Sequence, residues 1–208
     1  MITFTDILEY IGTFAFAISG IRMAANKQFD LFGAYIVGLV TAIGGGTIRD
    51  LCLGVTPFWM LNASYLIWSG VALLFVIFFR VHLFRFNNTF FIFDTIGLAL
   101  FTVVGIEKTL AMGFDNWVAI VMGMITGAAG GVFRDIFINQ IPLIFRKDIY
   151  AIACIIGGIV YFTCSYFEVE NEVAQITCAI SVALTRIIAI KFGIALPKIK
   201  PEEDRTKI

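Results

Sequence analysis

The chain has 208 residues, 60% of them hydrophobic and 14% charged, and its Lys plus Arg balance its Asp plus Glu to a net charge of zero. That composition excludes an ordinary soluble domain, which is nearer one quarter charged, and the long apolar runs make membrane spans the primary reading. The zero net charge argues against a nucleic-acid partner. The four cysteines, Cys52, Cys154, Cys164 and Cys178, form no CxxC or Cys/His pattern and read as small core or lipid-facing residues, with no metal site.

Taken in order, the apolar runs predict seven spans, at 4–25, 31–53, 61–80, 90–111, 116–139, 149–167 and 173–194. Each is near the length that crosses about 30 Å of hydrocarbon. The first carries Asp6 and Glu9 where a signal peptide has a positive n-region, so it is expected to be retained. Asp30 and Asp115 stand just before the second and fifth spans and read as helix N-caps. Pro57 and Pro142 follow those spans and are expected to stop them.

Lys27, Arg85, Arg146, Lys147, Lys198, Lys200, Arg205 and Lys207 all fall in connections on one side or in the tail. The opposite connections hold no Lys or Arg, and the last has Glu168, Glu170 and Glu172. The positive-inside rule then puts the N-terminus outside and the C-terminus in the cytoplasm. The lone His82 falls in the basic connection 81–89 and reads as solvated. The expected organisation is one membrane domain over 1–195 and a solvated tail over 196–208.

The second and fifth spans carry an unusual element. Gly44-Gly45-Gly46-Thr47-Ile48-Arg49-Asp50 and Gly130-Gly131-Val132-Phe133-Arg134-Asp135 lie 85 residues apart. Sliding the chain by that offset pairs Gly12 with Gly97, Phe16 with Phe101, Gly20 with Gly105 and Gly38 with Gly123. It also pairs Thr41 with Thr126, Pro57 with Pro142 and Tyr65 with Tyr150, and sets Glu9 on Asp94. Each repeat, 4–80 and 90–167, has three spans, so the second enters from the opposite face. The prediction is an all-α membrane protein with an inverted 3+3 repeat and one extra helix, 173–194, an arrangement common among secondary transporters.

Each motif has two readings. The glycine runs serve close helix packing, or break the helix so that backbone groups face a cavity; three glycines in a row favour a kink. Neighbours on a helix do not face each other, so Arg49-Asp50 and Arg134-Asp135 are expected to bond to capping backbone or other helices, or to snorkel, rather than to neutralise themselves. An arginine lining a pore repels cations, which suits a gating or scaffolding role. Glu9 and Asp94 read as acids at the outer and inner mouths, or as groups solvated at the interface. Ser19, Thr41 and Thr126 are candidate pore hydroxyls that equally suit bonds to backbone. Glu107-Lys108 sits near the outer end of the fourth span, Lys191 reads as a snorkelling anchor, and Arg186 has no assigned role. No nucleophile elbow, P-loop or zinc motif is present, so no catalytic residue and no enzyme is predicted.

The run Thr41-Ala42-Ile43-Gly44-Gly45-Gly46-Thr47-Ile48-Arg49-Asp50, with Asp94-Thr95-Ile96-Gly97-Leu98-Ala99 and Gly130-Gly131-Val132-Phe133-Arg134-Asp135, resembles the prokaryotic trimeric intracellular cation channel family. Some of its members are described as UPF0126 or glycine-transporter-domain membrane proteins. The resemblance implies a prokaryotic plasma (inner) membrane protein, homotrimeric, embedded in lipid, with an hourglass pore in each protomer. It further implies kinks in the second and fifth helices at the glycine runs, and permeation of monovalent cations, chiefly potassium, with no cofactor. Ala129 replaces the first glycine of the second motif, which implies a gentler bend there. The Lys-Glu-Val motif of the animal members is absent, so their lipid and calcium control is not implied. The alternative is a carrier for a small zwitterion such as glycine.

Overall fold

The computed structural model describes residues 3–85, 88–146 and 149–197. Lys147 and the tail from Lys198 onward, including Lys200, Arg205 and Lys207, lie outside the described residues, as do 86–87 of the basic connection. The described residues form eight α-helices: α1 (Phe4–Asn26), α2 (Leu31–Cys52), α3 (Phe58–Leu61), α4 (Ser64–Arg85), α5 (Thr89–Ala111), α6 (Asn116–Phe137), α7 (Ala151–Tyr166) and α8 (Asn171–Phe192). Six of them, α1, α2, α4, α5, α6 and α8, are long and apolar enough to cross a membrane, while α7 is a shorter apolar helix of 16 residues.

The ends are set by local chemistry. Thr3 and Asp6 form a reciprocal capping box at the start of α1, with Asp6 N–H donating to Thr3 Oγ1 and Thr3 N–H to Asp6 Oδ2. Asp30 caps α2 by accepting from Gly33 N–H at 2.6 Å. Asp115 occupies the matching position before α6, but its side chain makes no cap bond.

The prolines do not stop their helices. α2 ends at Cys52 and α6 at Phe137, well before Pro57 and Pro142. The stop is a left-handed residue in each case, Gly54 at φ 72° and Asn139 at φ 54°. These let Val55 N–H reach back to Asp50 O at 2.9 Å and Gln140 N–H to Asp135 O at 2.8 Å. Each proline instead opens a single turn, α3 after Pro57 and the 3-10 turn Leu143–Phe145 after Pro142. The predicted third span begins too early for the same reason: α3 and α4 are separate helices. His82 also moves, from the predicted connection onto the last turns of α4, where it is exposed.

α1 and α5 form the buried centre. Both carry runs of residues closed off from solvent, among them Phe16, Ala17, Ile18, Leu98, Phe101 and Val103. They run antiparallel, since Glu9 meets Lys108 at one end and Phe16 stacks on Phe101 near the middle. α2 and α6 also cross antiparallel, with Gly45 against Thr126 and Gly130 against Thr41. α4 lies parallel to α1, joined by Tyr65 to Glu9 at one end and Leu83 to Arg22 at the other. Its outer face exposes Ile67, Leu74, Phe78 and Val81, as expected of a lipid-facing helix.

Candidate functional site

The two glycine runs meet at the α2–α6 crossing. A Cβ built on Gly45 would collide with the carbonyl of Thr126, and one on Gly130 with the carbonyl of Thr41. The backbones therefore touch directly, which only glycine permits. The space a side chain would take at the flanking glycines is filled by aromatic residues: a Cβ on Gly44 would meet the Phe133 ring at 2.6 Å, one on Gly46 the Phe58 ring at 2.5 Å, and one on Gly131 the Tyr150 hydroxyl.

The expected break is absent. Both runs stay α-helical from end to end, because the facing helix occupies the space that missing side chains leave. The helix-breaking tendency of glycine, about 1 kcal/mol against alanine, is offset by that contact. Thr41 and Thr126 are buried, and their hydroxyls donate to Val37 O and Met122 O, each at 2.6 Å, one turn back on the same helix.

Past the crossing, the arginine-aspartate pairs organise two charge clusters, both buried within one chain. In the first, Asp50 Oδ2 accepts from Phe58 N–H at 2.8 Å, which pins the loop after α2. Arg49 Nε donates to Asp50 Oδ1 at 2.8 Å and sits over the Phe58 ring. Glu9 of α1 takes Lys108 Nζ at 2.7 and 2.8 Å and the Tyr65 hydroxyl at 2.7 Å, with Arg49 Nη2 at 3.6 Å.

The second cluster repeats this plan. Asp135 Oδ2 accepts from Leu143 N–H at 2.9 Å, and Arg134 Nε donates to Asp135 Oδ1 at 2.9 Å. Asp94 of α5 pairs with Arg134 Nη1, accepts from the Tyr150 hydroxyl at 3.3 Å, and takes Arg186 Nη2 of α8 at 3.3 Å. Arg134 Nη1 also donates to Ser19 Oγ at 2.9 Å, and its guanidinium lies over Phe90.

Two expectations need correction here. The adjacent Arg and Asp do neutralise each other in both motifs. Their side chains leave the helix about 100° apart, but arginine is long enough to fold round and meet a carboxylate held still by the following loop. Glu9 and Asp94 are not solvated at the interface: both are fully buried and hydrogen-bonded. Ser19 takes a hydrogen bond from another helix, accepting from Arg134 Nη1 at 2.9 Å.

Sequence reasoning paired Tyr65 with Tyr150 without giving them a task, and left Arg186 without a role; all three hold the two acids. The offset that aligned them with the motif was the available signal for the tyrosines. Lys108 falls on Met23 under the offset and Arg186 lies outside both repeats, so the repeat could not reveal them. Lys108 is also the most accessible of the cations, its side chain 30% exposed where Arg49, Arg134 and Arg186 are closed off. Lys191 lies exposed in the last turn of α8, over the Phe192 ring. Among the described residues no group of three or more His, Cys, Asp or Glu side chains is placed to hold a metal ion.

A family model described as glycine transporter matches the chain twice, over 6–81 and over 91–166. The UPF0126 inner membrane protein YadS of Escherichia coli K12 is 38% identical over 200 residues, spanning 95% of this chain and 97% of that protein. A UPF0126 membrane protein of Vibrio cholerae is 39% identical over 197 residues, spanning 92% and 81%. Among solved structures, one from work on conductance through TRIC cation channels superposes with a TM-score of 0.84 at 35% identity, covering 96% of this chain and 99% of that one. The TRIC trimeric intracellular cation channel orthologue of Rhodobacter sphaeroides gives 0.86 at 32% identity, covering 91% and 98%. The helices, the twofold match and these likenesses place the chain in the UPF0126 family of membrane proteins, the family of the TRIC channels.

Proposed function

We propose that the protein is a cation channel, permeable to potassium, that works as a homotrimer with a pore inside each protomer. The observation that carries this reading is the pair of charge clusters on either side of the glycine crossing, all within one chain. A scaffold this costly to bury suits a path that must be held in register from both ends. The solved relatives are described as TRIC cation channels, and one of them as trimeric. The arrangement is read as seven spans, counting the short α7, in two oppositely inserted repeats plus α8. The antiparallel run of α1 against α5, each the other's counterpart, supports the inversion.

On this reading the path runs through the crossing, where the α2 and α6 backbones touch. Opening therefore requires α2 and α6 to part or bend there, and the glycines are where bending is easiest. Thr41 and Thr126 would then face the path. The arginine-aspartate pairs act as scaffold, since each Asp holds the loop that follows its helix. The inner-membrane placement follows YadS, with the N-terminus outside.

Purified protein in a planar bilayer should pass unitary potassium currents. The carrier reading has the family model's description behind it, but the solved relatives are described as channels. A silent bilayer, with labelled glycine accumulating in proteoliposomes, would reverse the order of the two readings.

A further inference from the structure

We propose that the corner between the C-terminal ends of α1 and α4 binds the phosphate headgroup of an anionic phospholipid. A shallow groove of about 320 Å³ lies there, lined by Ala25, Arg80, Val81 and Phe84. Its walls are apolar and its one charged member, Arg80, is exposed and makes no ion pair among the described residues. Arg85, one turn and a residue further on, and Lys27, at the end of α1, are likewise exposed and make no ion pair among the described residues. Asp30 is the nearest acid in the sequence, and it is engaged at Gly33 N–H. Arg80 thus lines the groove and Lys27 and Arg85 stand at the ends of the same two helices, with no ion pair to any of the three among the described residues.

The repeat supplies an independent argument. The offset of 85 carries this corner onto the corner between α5 and α7, at the other end of the molecule. There Arg22 becomes Glu107, Lys27 becomes Met112, Arg80 becomes Ser165 and Arg85 becomes Glu170. The same backbone corner is cationic at one face and acidic at the other, so helix packing does not demand the charge. Glu107 and its counterpart Arg22 are both used internally, Glu107 accepting from the Tyr161 hydroxyl at 2.6 Å and Arg22 donating to Leu83 O at 3.3 Å; Arg80, whose counterpart is Ser165, has no ion pair among the described residues. A phosphate fits because it accepts several donors at once, and its acyl chains would lie along Val81 and Phe84 on the exposed face of α4. Cationic pockets between membrane helices recognise anionic lipids in this way. The inference stands apart from the channel reading.

The test uses delipidated full-length protein in mild detergent, titrated with phosphatidylglycerol or with phosphatidylcholine of the same chains. Bound lipid is counted by native mass spectrometry. Phosphatidylglycerol should bind more tightly than phosphatidylcholine, and Arg80→Gln with Arg85→Gln should weaken it by about fivefold for each cation removed. Arg146→Gln, an exposed arginine that donates to Ile141 O in a different loop, should leave it unchanged. Unaltered phosphatidylglycerol binding by the double variant would overturn the proposal, and so would equal binding of the two lipids. Inorganic phosphate raising Tm as much as phosphatidylglycerol would mark a free-anion site and overturn it as well. Both arginines are exposed, so the melting curve without lipid should be that of the parent.

Discussion

Phe16 and Phe101 stack on each other, ring centroids 5.4 Å apart and planes within 14°. They are also each other's counterparts under the 85-residue offset. A residue meets its own counterpart only beside the axis that relates two halves, as at an isologous interface between identical subunits. The glycines facing these rings are counterparts too: Gly12 lies on Phe101 and Gly97 on Phe16.

The two glycine–ring contacts differ in tightness, which yields a first prediction. A Cβ at Gly12 meets Phe101 at 3.2 Å, while one at Gly97 would overlap the Phe16 ring outright. Phe16 is closed in on all sides, so it has nowhere to move. Gly97→Ala should cost about 1–3 kcal/mol through overpacking, and Gly12→Ala clearly less. Thermal unfolding of the two variants in one detergent checks the order; equal losses would show that the ring relaxes freely.

The glycine crossing yields the second. At Gly45 and Gly130 the obstacle is a carbonyl, part of a helix that cannot swing aside. Gly45→Ala or Gly130→Ala should therefore push α2 from α6, with a marked fall in Tm and altered potassium current in a bilayer. Gly70, in α4, is the control, with Tyr35 its nearest neighbour at 4.0 Å. There alanine should raise stability by about 0.5–1 kcal/mol, the usual gain in a helix interior. A Gly45→Ala protein that melts and conducts like the parent would refute the close-contact account.

How much of this was legible in the sequence depends on the kind of information. Spacing was legible, because both halves keep Gly, Arg, Asp, Pro and Tyr in one register. The channel family followed from those motifs. Partners across the fold were not: Lys108 reaches Glu9 over 99 positions, and Arg186 comes from α8, which belongs to neither repeat. Of the two readings of the glycine runs, close packing is the one the facing backbone bears out, and the helices are not interrupted there. The Arg49-Asp50 contact was missed because the spacing rule concerns Cβ directions and neglects arginine's reach.

The two buried acids should respond differently to neutralisation. Asp94 balances Arg134 and Arg186, both closed off from solvent. Asp94→Asn should leave a buried excess cation and cost about 3–5 kcal/mol. Glu9 balances chiefly Lys108, which is partly exposed and able to turn toward water, and Arg49 keeps Asp50. Glu9→Gln should cost markedly less. Paired melts of the two variants decide the matter, and a larger loss for Glu9→Gln would place the critical acid in the first cluster instead.

The same asymmetry leaves a donor unused. Arg134 Nη1 finds the Ser19 hydroxyl, but Arg49 Nη1 is buried without a hydrogen-bond partner. The position matching Ser19 under the offset is Val104, a fully buried valine on α5. If the halves match in side-chain placement as they do in backbone, Val104 is the reason the donor is orphaned, since an apolar side chain cannot accept. Val104→Ser should then supply the missing acceptor and stabilise by about 1 kcal/mol. A merely polar substitution in an apolar core would instead destabilise by about 1–3 kcal/mol, so the sign of the change in Tm separates the two outcomes. The double variant Val104→Ser with Ser19→Val makes the comparison stricter. It should hand the orphan from the first cluster to the second, losing at Arg134 what it gains at Arg49, and an additive loss at both sites would rule out the match.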